Sequence, residues 1–163
     1  RAVDYLKQRG LTGVIAAKYG IKTRHFKPHG QLYNDAAFDL EIAGLLLRVA
    51  KDFSHLSLYV LAGSPLVSWA DEADVMVVEE AFPDRRYLAN GQLRPRAFAD
   101  ALIEDAAELA RQAECMILGL PITTADGADL SLRADTLCLH GDSPQAFENA
   151  KVVRQVMDRL KTG

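Results

Sequence analysis

The stretch LSLYVLAGSPLVSWADEADVMVVEE, residues 56–80, decides the fold class. It begins with an apolar run at residues 56–61, passes through a turn into a short helical segment at residues 66–70, and ends with a second apolar run at residues 75–78. Short apolar runs bounded by Gly and Pro are typical of buried strands. A strand, a helix and a second strand in this order predict two parallel strands joined by a crossover.

The same alternation of helices and short apolar runs extends in both directions from this unit. We predict further strands at residues 23–26, 115–118, 130–132 and 136–139. We predict helices at residues 2–19 and 35–51, from about residue 105, and from residue 144 onward. The whole pattern favours an α/β fold with mostly parallel strands joined by right-handed crossovers.

Capping signals mark the starts of three of these helices. Asn34 is a candidate N-cap for the helix at residues 35–51, and Asp105 with Glu108 has the spacing of a capping box. Ser143 followed by Pro144 is typical of the start of a helix. The apolar spacing of the last helix predicts one buried face, made of Phe147, Ala150, Val153, Met157 and Leu160.

Composition indicates an ordinary globular chain. Charged residues make up 25% of the 163 residues and the formal net charge is -3, so neither nucleic acid nor a membrane is expected as a partner. The length predicts a single domain over residues 1–163. The two cysteines, Cys115 and Cys138, are too few for a disulfide framework. We expect them to be small buried side chains of a cytoplasmic protein.

Ionisable side chains collect at the ends of three predicted strands. Ligand sites of α/β folds form beyond the carboxyl ends of parallel strands, so these side chains would converge on one face if the three strands run parallel. The pairs are Lys27 with His29, Glu79 with Glu80, and His140 with Asp142.

Two of these pairs have a chemical interpretation and a plainer one. A proline and a glycine would present Lys27 and His29 on a stiff turn, where the lysine could bind a carboxylate or phosphate and the histidine could move a proton or ligate a metal. Alternatively, they are a surface lysine and a histidine bonded to the backbone. His140 and Asp142 would stand beside the anion-favouring start of the last helix. Alternatively, the aspartate assists the helix cap and the histidine packs at the strand end.

Residues 81–98 have no clear period and contain a tight turn at Asn90-Gly91, which is typical of a lid or binding loop. A carboxylate there could orient water or accept a proton, and an arginine could clamp a substrate carboxylate. The alternative is a set of solvated charges in weak surface pairs, which we favour for Arg86 and Arg94. The candidate site residues of this loop are Asp84, Arg85, Tyr87 and Arg96.

Common nucleotide and metal signatures are absent from the sequence. It contains no Walker glycine loop, no dinucleotide glycine fingerprint, no Cys/His zinc ladder and no nucleophile elbow. Nucleotide chemistry would therefore need an unconventional site or another subunit.

Four stretches, in order along the chain, resemble motifs of the LamB/YcsF family. Residues 24–34, RHFKPHGQLYN, are similar to the family's RHVKPHGALYN, and residues 80–87, EAFPDRRY, are similar to EVFADRGY. Residues 91–96, GQLRPR, are similar to GSLVPR, and residues 134–142, ADTLCLHGD, are similar to ADTICVHGD. The resemblance covers nearly all of residues 1–161.

The resemblance implies a fold and an activity. The fold is an irregular β/α barrel similar to glycoside hydrolase and deacetylase domains, of which this chain would be the C-terminal portion. The activity is ATP-dependent opening of the lactam of 5-oxo-L-proline to L-glutamate, performed with separate B and C subunits. A lactam is a stable amide, so phosphorylation of its carbonyl oxygen would suit its activation before water attacks. A divalent metal and a homo-oligomer are both left open.

The resemblance also carries site residues onto matching positions. The expected catalytic residues are Lys27, His29, Glu80, Asp84, His140 and Asp142, and the expected substrate-binding residues are Arg85, Tyr87 and Arg96. In the leading hypothesis Glu80 or Asp84 orients water or takes its proton, and Arg85 holds the substrate carboxylate. Lys27 contacts the activated oxygen or a phosphate, and His140 with Asp142 positions a proton donor or a divalent ion. The alternatives are a metal-dependent, deacetylase-like hydrolase and a non-catalytic substrate-binding or scaffold subunit.

The chain departs from the family pattern in two ways. Arg86 and Asp100 stand where the family usually has glycine. The family's upstream stretches DLNxDxGE, CGFHAGD and GAHPSFPD have no counterpart here, so we expect that an upstream segment is absent and that the chain carries only part of a complete site.

Overall fold

Four parallel strands form the main sheet of the chain, which the computed structural model describes over residues 19–142 and 144–162. In their spatial order these strands are β1 (His25–Phe26), β2 (Ser57–Leu61), β3 (Val77–Ala81) and β6 (Thr136–Leu137). The register places Leu58 opposite Phe26 and Val77, and Glu80 opposite Leu61 and Thr136. The predicted α/β fold with mostly parallel strands is confirmed, and the sheet is a half-barrel.

Helices connect the strands of this sheet. They are α1 (Gln31–Phe38), α2 (Leu40–Asp52), α3 (Pro65–Glu72), α4 (Ala106–Leu118) and α5 (Ala146–Thr162). Two further strands, β4 (Ile122–Thr123) and β5 (Asp129–Leu130), pair antiparallel beside them. The predicted helix at residues 2–19 and the predicted cap Ser143 lie outside the described residues, apart from Tyr19. No helix in the described ranges is long and apolar enough to cross a membrane.

The region predicted as one helix at residues 35–51 is two helices, so that prediction is wrong. Asp39 separates them, with an extended backbone at φ -109° and ψ 114°. Its carboxylate accepts hydrogen bonds from the N–H groups of Glu41 and Ile42 and caps α2. The predicted cap, Asn34, lies inside α1 instead.

The strand predicted at residues 115–118 is also wrong, because these residues form the last turn of α4. The helix ends only at Gly119, whose left-handed conformation (φ 67°) is the usual helix stop. The predicted start of this helix is confirmed, since the Asp105 side chain accepts a hydrogen bond from the Glu108 N–H.

The buried face of α5 differs from the predicted one. Asn149, Val153 and Val156 are buried, whereas Phe147 is 71% exposed and Met157 is 36% exposed. The face of α5 that packs against α4 therefore differs from the predicted one, and Val153 is the only residue of the predicted face that is buried.

The sheet separates two apolar clusters. Alternating side chains of β2 point to opposite faces, so Leu58 and Val60 pack with α2 and α3, while Leu61 packs on the other side with Phe82 and Tyr87. This second cluster lies beneath the loop that follows β3 and fixes the ends of the strands that carry the site.

Candidate functional site

The carboxyl ends of β1, β3 and β6 meet at one edge of the sheet. Lys27 directly follows β1, and Cys138 directly follows β6. Both line an open cleft of about 890 Å³ together with His29 and His140. The structure therefore brings together side chains from strands that are far apart in sequence.

The two glutamates of β3 lie inside the strand rather than after it, and they point to opposite faces. Glu79 turns away from the cleft and accepts a hydrogen bond from the Gly63 N–H at 2.9 Å. Glu80 is only 4% exposed and points to the Lys27 side. Of this predicted pair, only Glu80 joins the cluster.

Glu80 forms a charged cluster with Lys27 and Tyr33. Its Oε2 lies 2.5 Å from the Lys27 ammonium and accepts a hydrogen bond from the Tyr33 hydroxyl at 3.1 Å. The ammonium also lies 5.0 Å from the centre of the Phe82 ring, within cation–π range. Burial raises the pKa of Tyr33 and the charge of Glu80 adds to this, so the phenol keeps its proton as a donor.

Cys138 extends this cluster. Its Sγ accepts a hydrogen bond from Lys27 Nζ at 3.4 Å. Burial raises the pKa of the Cys138 thiol and the negative charge of Glu80 raises it further, whereas Lys27 opposes both effects. Cys138 is half-buried and polar in its contacts rather than the simple apolar side chain that was predicted.

Asp84 and His140 form a second pair. Asp84 Oδ2 lies 2.9 Å from both the backbone nitrogen and the Nδ1 of His140. The imidazole stacks on Phe82 at a centroid separation of 5.5 Å. With the carboxylate ionised, this network assigns the proton to Nδ1 and leaves Nε2 as an acceptor. The other carboxylate oxygen, Oδ1, is buried and has no hydrogen-bond partner among the described residues.

Arg85 and Tyr87 hold the loop that follows β3. The Arg85 guanidinium donates to the carbonyls of Ala101 and Arg94 at 3.3 and 2.7 Å. The Tyr87 hydroxyl is fully buried and accepts a hydrogen bond from the Phe82 N–H at 2.9 Å. Burial lowers the pKa of Arg85 and raises the pKa of Tyr87. Substrate binding by Arg85 and Tyr87 stays a prediction, and Arg85 also borders the cleft.

Gln112, which the sequence did not single out, also anchors this loop. Its amide nitrogen lies within hydrogen-bond distance of the carbonyl oxygens of Phe82, Pro83 and Arg85, with separations of 3.3, 3.0 and 2.8 Å. The side chain lies on the buried face of α4, so the loop is tied to that helix.

Arg86 and Asp100, the two residues that stand where the family usually has glycine, both have ion-pair partners. Arg86 makes two hydrogen bonds to Glu108 at 2.5 and 2.9 Å and joins the loop to α4. Asp100 pairs with Arg94 at 2.7 Å, and the arginine lies over the Phe98 ring. Both arginines are paired, but the pair of Arg86 with Glu108 is two-pronged and partly buried rather than the weak, solvated surface pair that was predicted.

The remaining predicted residues lie at the rim. Asp142 pairs with Arg96 at 2.9 Å, and both are largely exposed. The Arg96 hydrogen bond lowers the pKa of Asp142. The partner of His140 is therefore Asp84, and Asp142 is held elsewhere. His29 is exposed at the cleft margin. The described part of the chain contains no group of three or more His, Cys, Asp or Glu residues that could hold a metal ion.

The buried carboxylates of Glu80 and Asp84 determine what the site can do chemically. One neutralises a lysine that lines the large cleft, and the other orients a histidine with an acceptor nitrogen. Such a site can polarise a carbonyl oxygen and move a proton to or from water. Tyr33 and Cys138 lie inside the motifs at residues 24–34 and 134–142, but only the fold shows that they contact Lys27 and Glu80.

Comparisons with known proteins place this geometry in a family. Residues 2–162 match the LamB/YcsF family. A Thermus thermophilus protein named as the A subunit of 5-oxoprolinase is 41% identical over 157 residues, which are 96% of this chain and 63% of that protein. The Bordetella pertussis protein of the same name is 40% identical over 153 residues, which are 93% of this chain and 61% of that protein.

A solved structure agrees with the sequence comparisons. The lactam utilization protein from Thermus thermophilus superposes with a TM-score of 0.79 at 39% identity, covering 91% of this chain and 59% of that one. The chain thus spans about three fifths of the length of these relatives. With a family match over nearly its whole length, the chain belongs to the LamB/YcsF family.

Proposed function

We propose that this chain acts as part of an ATP-dependent 5-oxoprolinase that opens the lactam of 5-oxo-L-proline to L-glutamate. The observation that carries the proposal is the meeting of the Lys27–Glu80 and Asp84–His140 pairs at one end of the sheet. The relatives named as 5-oxoprolinase components support the choice of substrate and the need for partners, which we propose to be subunits B and C. Two free thiols suit a reducing cytoplasm.

The chemistry assigns a role to each pair. His140 Nε2 takes a proton from the attacking water while Asp84 holds the ring in the required tautomer. Lys27 contacts the phosphoryl group that activates the carbonyl oxygen, with Glu80 and Tyr33 fixing its position. The hydroxyl adds to the carbonyl carbon, the ring C–N bond breaks, and the nitrogen gains the proton. The products are the side-chain carboxylate and the amine of glutamate.

ATP enters the proposal as a co-substrate of the complex. Because amides are stable, transfer of the terminal phosphoryl group of ATP to the carbonyl oxygen, with ADP as the leaving group, would make the carbon easier to attack. Addition of the first water and cleavage of the ring C–N bond then give an acyl phosphate, and a second water releases phosphate and leaves the carboxylate. Lys27 and Arg96, each paired with a carboxylate, line the large cleft and would donate hydrogen bonds to an anionic group there. No step of the proposal is assigned to a metal ion.

Replacement of Asp84 tests this assignment in the protein that carries this chain, combined with subunits B and C. Asp84→Asn presents an amide to His140 Nδ1, which favours the wrong tautomer. We expect kcat for glutamate release to fall by about two to four orders of magnitude. Asp100→Asn is the matched control on the same loop, and we expect it to keep turnover within about threefold.

The proposal fails if Asp84→Asn retains the turnover of the control. It also fails if the wild-type complex releases no glutamate from 5-oxoproline with ATP. Binding of 5-oxoproline by the complex with normal turnover in both variants would instead favour a scaffold role for this chain.

A further inference from the structure

A second, smaller cleft of about 360 Å³ is lined by both members of the Asp84–His140 pair. It is bordered by the loop after β3 on one side and by the start of α5 on the other. Its walls include Ile103, Gln145 and Asn149, whereas Lys27 and Tyr33 line only the large cleft. His140 borders both clefts, together with Arg96 and Asp142.

Asn149 is an unusual residue for its position. It lies on the buried face of α5, one turn before Val153, and is only 8% exposed. Its side-chain amide lines the small cleft and makes no hydrogen bond within the described residues, so it is open to a partner in that cleft. An amide that lines a cleft without a partner in the protein can bond water or a ligand there.

Asp84 gives an independent observation at the same cleft. Its Oδ2 is used by His140, but its buried Oδ1 has no hydrogen-bond partner in the described ranges. Asp84 after β3 and Asn149 on α5, which belong to different elements, therefore border one cavity, and each has polar atoms that are not paired within the described residues. Leu102 and Ile103 add apolar wall beside them.

We propose that this small cleft is the lactam subsite, in which Asn149 pairs with the amide edge of the substrate. A lactam is a cyclic cis amide, so its N–H and C=O groups point in the same direction side by side. The carboxamide of asparagine offers an acceptor and a donor with the matching spacing. The apolar wall suits the ring methylenes, and a volume near the lower end of ligand pockets suits a small molecule.

This inference rests on the proposed function for the identity of the reaction, and it adds a division of labour. The lactam occupies the small cleft, and the large cleft with Lys27 and His29 remains for the anionic co-substrate. His140, which borders both clefts, reaches the reacting carbonyl. Asn149 is then a substrate-binding residue that none of the four family motifs contains.

The variant Asn149→Leu tests the subsite, because it removes the amide and keeps a similar side-chain volume. In the complex with subunits B and C we expect the KM for 5-oxoproline to rise at least about tenfold, with the KM for ATP unchanged. We also expect the Tm to stay the same or to rise, because the amide makes no bond within the described protein. Gln155→Leu, an exposed position on the same helix, is the matched control and should change neither KM.

A direct binding experiment separates this inference from the proposed function. Calorimetric titration with 2-pyrrolidone, the simplest five-membered lactam, should give a heat of binding with the wild type and none with Asn149→Leu. A wild type that does not bind it, or a variant that binds it equally well, overturns the subsite. A lower Tm for Asn149→Leu with unchanged KM values would make Asn149 a structural residue and overturn it as well. Lack of turnover in a wild type that binds 2-pyrrolidone refutes the proposed function alone.

Discussion

At the scale of single residues, the buried carboxylates of Glu80 and Asp84 differ in how many of their oxygens have a partner. Glu80 has a cation and a phenol on one oxygen, so its charge is compensated inside the protein. Asp84 has a histidine on one oxygen and no described partner on the other. Removing one partner of a buried ion pair leaves the other as a buried charge without compensation, which destabilises the fold. Variants of Lys27 or Glu80 therefore report on folding as well as on chemistry.

Cys138 offers a residue-scale prediction about pH. Alkylation requires the thiolate, and a raised pKa means that less thiolate is present at any given pH below it. In a Cys115→Ser chain, which leaves Cys138 as the sole thiol, we expect the pH midpoint of iodoacetamide labelling to lie higher in the folded than in the urea-unfolded protein. The rate is measured at a series of pH values by intact mass.

Two variants test the sign of the electrostatic contributions to this pKa. Glu80→Gln removes a negative charge that opposes ionisation, so the midpoint should move to lower pH. Lys27→Met removes the ammonium that favours the thiolate, so the midpoint should move to higher pH. Equal midpoints for the folded and unfolded chains would contradict the placement of Cys138 against these two residues.

At the scale of elements, Asp39 shows how one capping side chain changes the structure inferred from an apolar pattern. The spacing of residues 35–51 fits a single helix, and only the extended backbone at Asp39 divides it. The aspartate caps α2 through two N–H groups, which removes two unpaired donors from its first turn. Aspartate inside an exposed helical pattern is common, so this break could not be predicted from periodicity alone.

Asp39→Ala should therefore destabilise the chain. We expect the free energy of unfolding to fall by about 0.5–2 kcal/mol, the usual cost of losing an N-cap. Urea denaturation followed by circular dichroism measures the difference. Arg48→Ala, an exposed position on the same helix, should change it by less than about 0.5 kcal/mol. An Asp39→Ala chain as stable as the Arg48→Ala chain would show that the cap contributes nothing to folding.

The loop after β3 could be predicted from the sequence only in part. Its irregular character and the turn at Asn90-Gly91 are visible in the sequence, and the structure confirms the turn with a Gly91 N–H to Leu88 carbonyl bond. Its anchoring by Gln112 is not visible, because that glutamine lies 27 to 30 positions away in a helix. Long-range bonds from a polar side chain to backbone carbonyls leave no local pattern.

At the scale of the whole molecule, the parallel sheet accounts for most of what could be predicted about the site. Strand-end positions sufficed to bring Lys27, Glu80 and His140 to one edge, because parallel strands share a direction. Pairings across that edge could not be predicted. His140 was expected to act with its chain neighbour Asp142, and it contacts Asp84, 56 positions away. The burial of Asn149 could not be predicted for a related reason. The face that α5 turns toward the protein depends on its packing and not on its apolar spacing alone.

The stability of this arrangement should depend on the middle of the sheet. Leu58 on β2 is fully buried between the neighbouring strands and the α2–α3 layer, so Leu58→Ala leaves a cavity that close-packed neighbours cannot fill. We expect a loss of about 2–5 kcal/mol in the free energy of unfolding. Leu45→Ala is the matched control, because Leu45 is 53% exposed on α2, and it should cost less than about 0.5 kcal/mol. Equal urea midpoints for the two variants would mean that β2 is not at the centre of the core. Strands β1 and β3 both pair with β2. In that case β2 would not be the element that holds Lys27 and Glu80 at one edge of the sheet.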